Sequence, residues 1–352
     1  MENLSIKFCN KPFDHLETLE NGQAALCCPS WLPYYTPPLS NDYSVQEAFN
    51  NEDVIKIRES ILDGSFRYCN QELCPHLNSN SLPDKDSIED KRYREIIDNH
   101  LTENLSPIFY NLCHDKSCNL NCPSCREETF SVNSGKRYEK SLEIQQQINE
   151  EVFSEPHDRY CLINVTGSGD PFGSKIFRDF LFNVDGAKFP NVLFNLQTNG
   201  VLFDEKTWDK MSKIQKNINT VIVSVDASTE KTYNITRRGG HWGKLQKNLN
   251  FLSSLRAKKM IKELRLDFVV QQANYKEMLD FVKLGKNLKV DKVYFSKIIN
   301  WGTFSTEKFE EVAVWQNDHP ERDEFLNILK NEIFDDPIVD LGNVTEYKTD
   351  ES

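Results

Sequence analysis

The chain has no apolar stretch long enough to span a bilayer, and its opening text, MENLSIKFCNKPFDHLETLENG, shows neither a basic n-region nor a long hydrophobic run. Neither a helical membrane protein nor a secretory leader is expected, and the chain reads as a soluble, cytoplasmic protein with no membrane partner. Excess positive charge is missing too: 42 Lys and Arg stand against 54 Asp and Glu, a net charge of −12. That balance disfavours a surface that tracks phosphates, so nucleic acid is not expected as a partner. There is no internal repeat of 20 to 50 residues and no low-complexity tract, which excludes solenoids and arrays.

What is present is enough apolar material for a core. With 352 residues, 38% of them hydrophobic, the chain can form one large α/β domain and a smaller appendage. Ten cysteines are grouped: five from Cys9 to Cys74, four from Cys113 to Cys125, and Cys161 alone. In a reducing compartment clustered thiols more often bind metal than form disulfides, so two metal sites are expected.

The text divides the chain. Residues 1–80 are irregular and Pro-rich around Trp31–Pro38, with one helix expected at 44–63 and too little periodic apolar surface to hold together without a staple. Residues 81–106 are polar and charged and read as a linker. From 107 to 305 strand-like runs at 108–112, 160–166, 192–197, 220–225, 264–271 and 292–296 alternate with amphipathic segments at 140–152, 174–183, 205–213, 243–258 and 275–286. Strands alternating with helices make a parallel sheet, either doubly wound or a partial barrel, with function at the carboxyl ends of the strands. Residues 306–352 read as a helical extension and tail.

Directly after the first strand stands Cys118-Asn119-Leu120-Asn121-Cys122-Pro123-Ser124-Cys125. Three thiolates at C-x3-C-x2-C spacing can ligate three irons of a 4Fe-4S cubane and leave the fourth open. The Cys122-x2-Cys125 pair also suits half of a zinc ribbon.

This loop and the text downstream resemble the radical S-adenosylmethionine (SAM) superfamily. The resemblance implies a partial (β/α)6 TIM-like barrel with SAM chelated at the open iron and cleaved reductively to a 5'-deoxyadenosyl radical. It also implies SAM contacts at Gly167-Ser168-Gly169-Asp170-Pro171, which departs from the family's Gly-Gly-Glu-Pro, and at Thr198, Asn199, Ser224 and Asp226. Thr232-Tyr233-Asn234-Ile235-Thr236-Arg237-Arg238 is similar to a stretch in the subgroup with SPASM or twitch domains; Arg237, with Arg238 as the alternative, is expected to grip the SAM carboxylate, and Gln271 to lie near adenine or substrate.

Cys9, Gly22 and Cys27 fit the Cys-x(9-15)-Gly-x4-Cys pattern that opens a SPASM or twitch domain, here ahead of the barrel where relatives carry it after. With Cys69 and Cys74 they would hold an auxiliary 4Fe-4S cluster, Cys28 being the alternative to Cys27; a structural zinc at the same four cysteines is the bland alternative. Cys113 and Cys28 are candidate hydrogen-atom donors, and Cys161 is read as core. His114, His241 and Trp242 are read as structural.

The expected activity is therefore an oxidoreductase- or epimerase-type radical SAM enzyme that abstracts a hydrogen atom from a sugar or glycan precursor. Its electron donor would be of flavodoxin or ferredoxin type. A peptide- or protein-modifying radical enzyme is the alternative within the class, and a zinc-bound structural module the alternative outside it.

Overall fold

All six strands expected between 108 and 296 are present, each within two residues of its expected limits. The computed structural model describes residues 4–348; the ends of the expected 1–80 domain and of the expected tail, at 1–3 and 349–352, lie outside the described residues. Those described fall into two compact units, one comprising 4–115, 133–168 and 188–193, the other 116–132, 169–187 and 194–348.

In the first unit β1 (His15–Thr18) pairs antiparallel with β2 (Ala24–Ala25) and parallel with β3 (Phe109–Leu112), which pairs parallel with β4 (Cys161–Val165). Two of these strands come from the segment expected to be irregular. Four residues are too few for alternation to stand out, and their burial comes from pairing with β3, a contact remote in sequence. Gly22, at φ +89, forms the turn that joins β1 to β2, a conformation side chains disfavour.

The amino-terminal segment also has an apolar centre of its own. Phe8, Phe13, Ile61, Leu62, Phe66 and Ile96 pack together with Cys9 and Cys69 against them. Buried Arg58 lies 4.3 Å from the centre of the Phe49 ring and donates to the carbonyls of Pro12 (2.9 Å) and Thr102 (2.8 Å). A metal staple is thus not all that holds it. The helix expected at 44–63 is two helices, Val45–Phe49 and Glu52–Leu62, because the Asn51 side chain accepts from the amides of Asp53 and Val54 and starts a second one.

The second unit carries β5 (Val192–Thr198), from Phe194 onward, then β6 (Ile218–Ser224), β7 (Glu263–Val270), β8 (Lys292–Lys297) and β9 (Val339–Asp340). All pair in parallel and in chain order. A doubly wound sheet needs a point where the order reverses, so this progression is that of a (β/α) barrel-type sheet. Helices Glu205–Lys210, Trp242–Ala257 and Met278–Leu288 separate successive strands. Leu264, Leu266, Phe268 and Val270 of β7 are fully buried, and the rings of Phe268 and Phe281 lie 4.8 Å apart. Burying such a side chain contributes about 1.5–3 kcal/mol.

The opposite face of this sheet is polar. Register places Ser224, Asp267 and Tyr294 in one row with Asp340, and Ile222, Arg265 and Lys292 in the row below. Among the described residues no helix is long and apolar enough to cross a membrane.

Candidate metal and cofactor site

The cysteine loop, 116–132, belongs to the second unit and is tied down by its own backbone. Cys118 pairs with Phe130 in a bridge, its amide donating to the Phe130 carbonyl at 2.8 Å, and Asp170 donates its amide to the Ser117 carbonyl at 2.9 Å. The amides of Cys125 and Arg126 both donate to the Cys122 carbonyl at 2.9 Å, a tight turn that brings the second and third cysteines together. On the far side the Asn121 amide donates to the Arg238 carbonyl at 3.0 Å. Gly239, at φ +84, lies where a Cβ would come within 2.8 Å of the Asn121 side chain, so a larger residue would push the loop away.

Each sulfur faces an N–H donor. Cys118 Sγ accepts from the Leu120 amide at 3.4 Å and lies 3.8 Å from Asn199 Nδ2; Cys122 Sγ is 3.9 Å from Arg237 Nη1; Cys125 Sγ is 3.4 Å from Arg126 Nη2. Burial pushes the Cys118 thiol up to about 11 and raises Cys122 as well, against the pull of Arg237. Without metal Cys118 and Cys122 are thiols. Three sulfurs within electrostatic reach of one another and of Arg126, with donors waiting for thiolate charge, fit a metal cluster that would hold them deprotonated.

Around this loop stand several of the residues singled out from sequence, Asp170, Asn199, Asp226 and Arg237. Asp226 follows β6 in a left-handed conformation, φ +57, and its Oδ1 accepts from the Val269 amide at 2.8 Å. Its Oδ2 meets Arg237 Nη2 at 2.9 Å, in a pair whose Asp226 carboxylate is almost wholly buried. Burial works against the Arg237 cation, but the charges of Asp226 and Cys122 outweigh it and keep the guanidinium protonated. Arg237 Nε, Gln271 Nε2 and the Tyr233 hydroxyl are buried without a hydrogen-bond partner. Unpartnered donors in a buried place are costly, and a polar ligand would relieve them. They fit a zwitterionic cofactor such as SAM.

Other expected residues are differently employed. Asp170 was expected to meet SAM, but its Oδ1 accepts from the amides of Phe172 (2.9 Å) and Gly173 (3.0 Å), and its Oδ2 from Thr198 Oγ1 (2.7 Å) and the Asn199 amide (2.9 Å). Its four acceptor positions are filled, so it latches the turn after β4 to the end of β5. Thr198 is held by that latch, while Asn199 also donates to Asn119 Oδ1 at 2.9 Å. Ser224 ends β6 on the polar face, and Gly169 lies beside Asp170. Arg238 is exposed and donates to the carbonyls of Asn121 (3.2 Å) and Glu127 (3.3 Å), bracing the loop. Of the two guanidiniums, Arg237 is the one turned inward.

In the first unit Cys113 ends β3. Its sulfur lies 3.6 Å from where a Gly167 Cβ would stand, and Ser168 Oγ donates to the Cys113 carbonyl at 3.1 Å. Burial, then the charge of Glu17, pushes the Cys113 thiol up to about 11. Glu17 in turn accepts from Asn111 Nδ2 at 2.7 Å. Cys161 is fully buried, as expected of core. His114 is buried, with Nδ1 2.8 Å from Thr18 Oγ1, and His241 caps the helix Trp242–Ala257; both serve structure.

The four amino-terminal cysteines also meet in the first unit. Cys69 is within electrostatic reach of Cys9, Cys27 and Cys74, and Cys27 of Cys9 and Cys74. Burial and this proximity push Cys27 and Cys69 up to about 12 and Cys9 to about 11. Cys28 is exposed and outside this set. Among the described residues no three His, Cys, Asp or Glu side chains are drawn together as ligands of a single metal ion.

Arg126 was not singled out from sequence, although it directly follows the third cysteine. Tyr233 stood within a motif but was given no role.

No family model matches the chain, and no curated protein matches it. Among solved structures it is similar to SuiB of Streptococcus suis, at 15% identity and a TM-score of 0.45 over 72% of this chain and 52% of that one. It is similar also to anSMEcpe with bound AdoMet, at 19% identity and 0.43 over 63% of this chain and 57% of the other. A third is TYW1 with a lysine-pyruvate adduct, at 16% and 0.39 over 65% and 71%. The chain thus spans about half the length of SuiB. At such scores the chemistry of the site rests on its own residues.

Proposed function

We propose that the chain is a radical SAM enzyme that abstracts a hydrogen atom from a polar substrate. The observation that carries this reading is the convergence of Cys118, Cys122 and Cys125, each sulfur facing an N–H donor, beside the buried and incompletely partnered Arg237. Three cysteines would hold a 4Fe-4S cluster, leaving one iron for SAM. Bound there, cluster and SAM supply a 5'-deoxyadenosyl radical. Arg237, oriented by Asp226, offers its free Nε to the SAM carboxylate, and Gln271 Nε2 offers a further donor. Burial of these groups keeps water from the reacting atoms.

A second, auxiliary cluster at Cys9, Cys27, Cys69 and Cys74 belongs to the same proposal. Cys69 lies within electrostatic reach of Cys9, Cys27 and Cys74, which supports four thiolates at one site. Electrons would come from a flavodoxin- or ferredoxin-type donor. Cys113, kept as a thiol by burial, has the protonation state that a hydrogen-atom donor in an epimerisation requires.

We take a sugar or glycan precursor as the substrate class; Ser224, at the end of β6, offers a hydroxyl on the polar sheet face, while Arg265 and Asp267 there pair with each other at 2.5 and 2.8 Å. Anaerobically reconstituted protein is expected to show reducible iron-sulfur absorption and to cleave SAM to 5'-deoxyadenosine. Replacing Cys118, Cys122 and Cys125 together by Ala should abolish that cleavage and leave the amino-terminal cluster in place. Retained cleavage in the triple variant refutes the assignment, and colourless protein containing zinc without sulfide replaces it with the structural module. Stimulation of cleavage by a peptide and by no sugar would replace the substrate class.

A further inference from the structure

Three side-chain groups reach toward the sulfurs of the cysteine loop, and they differ in charge and distance. Asn199 Nδ2 is neutral and 3.8 Å from Cys118 Sγ. Arg237 Nη1 is 3.9 Å from Cys122 Sγ, and its cation is shared with Asp226 at 2.9 Å. Arg126 Nη2 is the nearest of the three, at 3.4 Å from Cys125 Sγ. Its other terminal nitrogen, Nη1, donates to the Lys116 carbonyl at 2.5 Å, and its own amide donates to the Cys122 carbonyl at 2.9 Å. The guanidinium therefore bridges the start of the loop, at Lys116, to the third cysteine, Cys125. It is half-buried, where screening by salt is weaker than on an open surface, and within electrostatic reach of all three sulfurs.

A cluster on three thiolates becomes one charge more negative when it accepts an electron. A cation held close to a ligating sulfur stabilises the reduced form more than the oxidised one, and an N–H···S contact withdraws charge in the same sense. We propose that Arg126 is a positioning residue that raises the reduction potential of the cluster held by Cys118, Cys122 and Cys125. The inference rests on the proposed cluster and concerns how readily it takes up its electron, not where SAM binds.

The test is an EPR-monitored redox titration of the anaerobically reconstituted full chain, following the reduced-cluster signal that changes when SAM is added. Wild type is compared with Arg126→Gln and Arg126→Met, each checked for iron and sulfide content. Either variant should be about tenfold harder to reduce, a potential lower by about 60 mV for a one-electron couple. If only one variant loads its cluster, that one carries the comparison. An unchanged potential in a fully loaded variant overturns the inference and leaves the proposed function standing. Failure of both variants to assemble a cluster that wild type assembles would make Arg126 structural and overturn it too. Wild type with no SAM-sensitive reducible signal overturns inference and proposed function together.

Discussion

Arg237 and Asp226 form an ion pair of 2.9 Å in which the carboxylate is almost entirely removed from solvent. Such a pair stabilises little relative to apolar residues of the same size, but removing one partner strands the other charge. Arg237→Ala should therefore lose roughly 3–5 kcal/mol of unfolding free energy. The Arg237→Ala/Asp226→Ala double variant should recover part of that loss in urea titrations, the remainder reflecting the Val269 amide left without its acceptor. A double variant no more stable than the single one would show that the pair is not coupled.

The neighbouring arginines should separate in SAM binding. Arg237 is inward with Nε unpartnered, whereas Arg238 braces the backbone of the cysteine loop. Equilibrium binding of SAM to reconstituted protein should weaken about tenfold or more in Arg237→Ala, as expected for loss of a charged hydrogen bond of about 1.5–3 kcal/mol. Arg238→Ala should weaken it less. The reverse order would make Arg238 the guanidinium that holds the SAM carboxylate.

Sequence favours Cys27 as a ligand with Cys28 as the alternative, and their surroundings differ in the same sense. Cys27 is within reach of Cys9 and Cys74, and Cys28 is exposed. Cys27→Ser should lower iron and sulfide by about one cluster's worth, roughly 4 of each per chain. Cys28→Ser should leave both at the wild-type level and remove one rapidly alkylated thiol. Equal loss of iron in both variants would contradict this division.

What was legible in the sequence follows the length of the elements. β5, β6 and β7 are seven or eight residues long, and their apolar periodicity outweighed local noise. β1, β2 and β9 have four, two and two residues; β1 and β9 are strands because distant chain pairs with them, and β2 because it turns back on β1. The same division holds at the site. The cysteines could be found because spacing within one loop is written in sequence. That Asp170 is consumed by four donors, or that Arg126 bends back to Cys125, depends on side-chain direction, which spacing does not record.

Acid should weaken the first unit through His15. This residue is buried, stacks on Phe109 at 5.0 Å between ring centres, and is pushed down from 6.5 to about 4, by burial first and by the Lys11 charge second. The unfolded chain takes up the proton near pH 6.5 while the folded one does not until about pH 4. The stabilisation is therefore complete above the unfolded value and is lost as pH falls through that window. About 2 kcal/mol should disappear between pH 7 and pH 5 by this route. Urea titrations at the two pH values should show a smaller drop, by roughly that amount, in His15→Gln; an identical drop would mean that His15 titrates normally.

Asp170 offers the sharpest contrast between a ligand-binding and a structural carboxylate. Its four donors are the amides of Phe172, Gly173 and Asn199 and the hydroxyl of Thr198. Burial raises its pKa and these donors oppose the rise. Asp170→Ala leaves all four without an acceptor in a place closed to water, and each unsatisfied buried group costs about 1–3 kcal/mol. Even with relaxation, unfolding free energy should fall by at least about 3 kcal/mol. Asp170→Asn keeps one oxygen acceptor but turns a donor toward the other pair, so it should lie between Ala and wild type. A residue whose role was to hold SAM would give another pattern: unchanged stability in the apoprotein and a loss confined to SAM affinity. Thermal or urea unfolding of the apoprotein beside SAM binding to the reconstituted protein distinguishes the two, and a wild-type-like apoprotein stability for Asp170→Ala would restore this carboxylate to the cofactor.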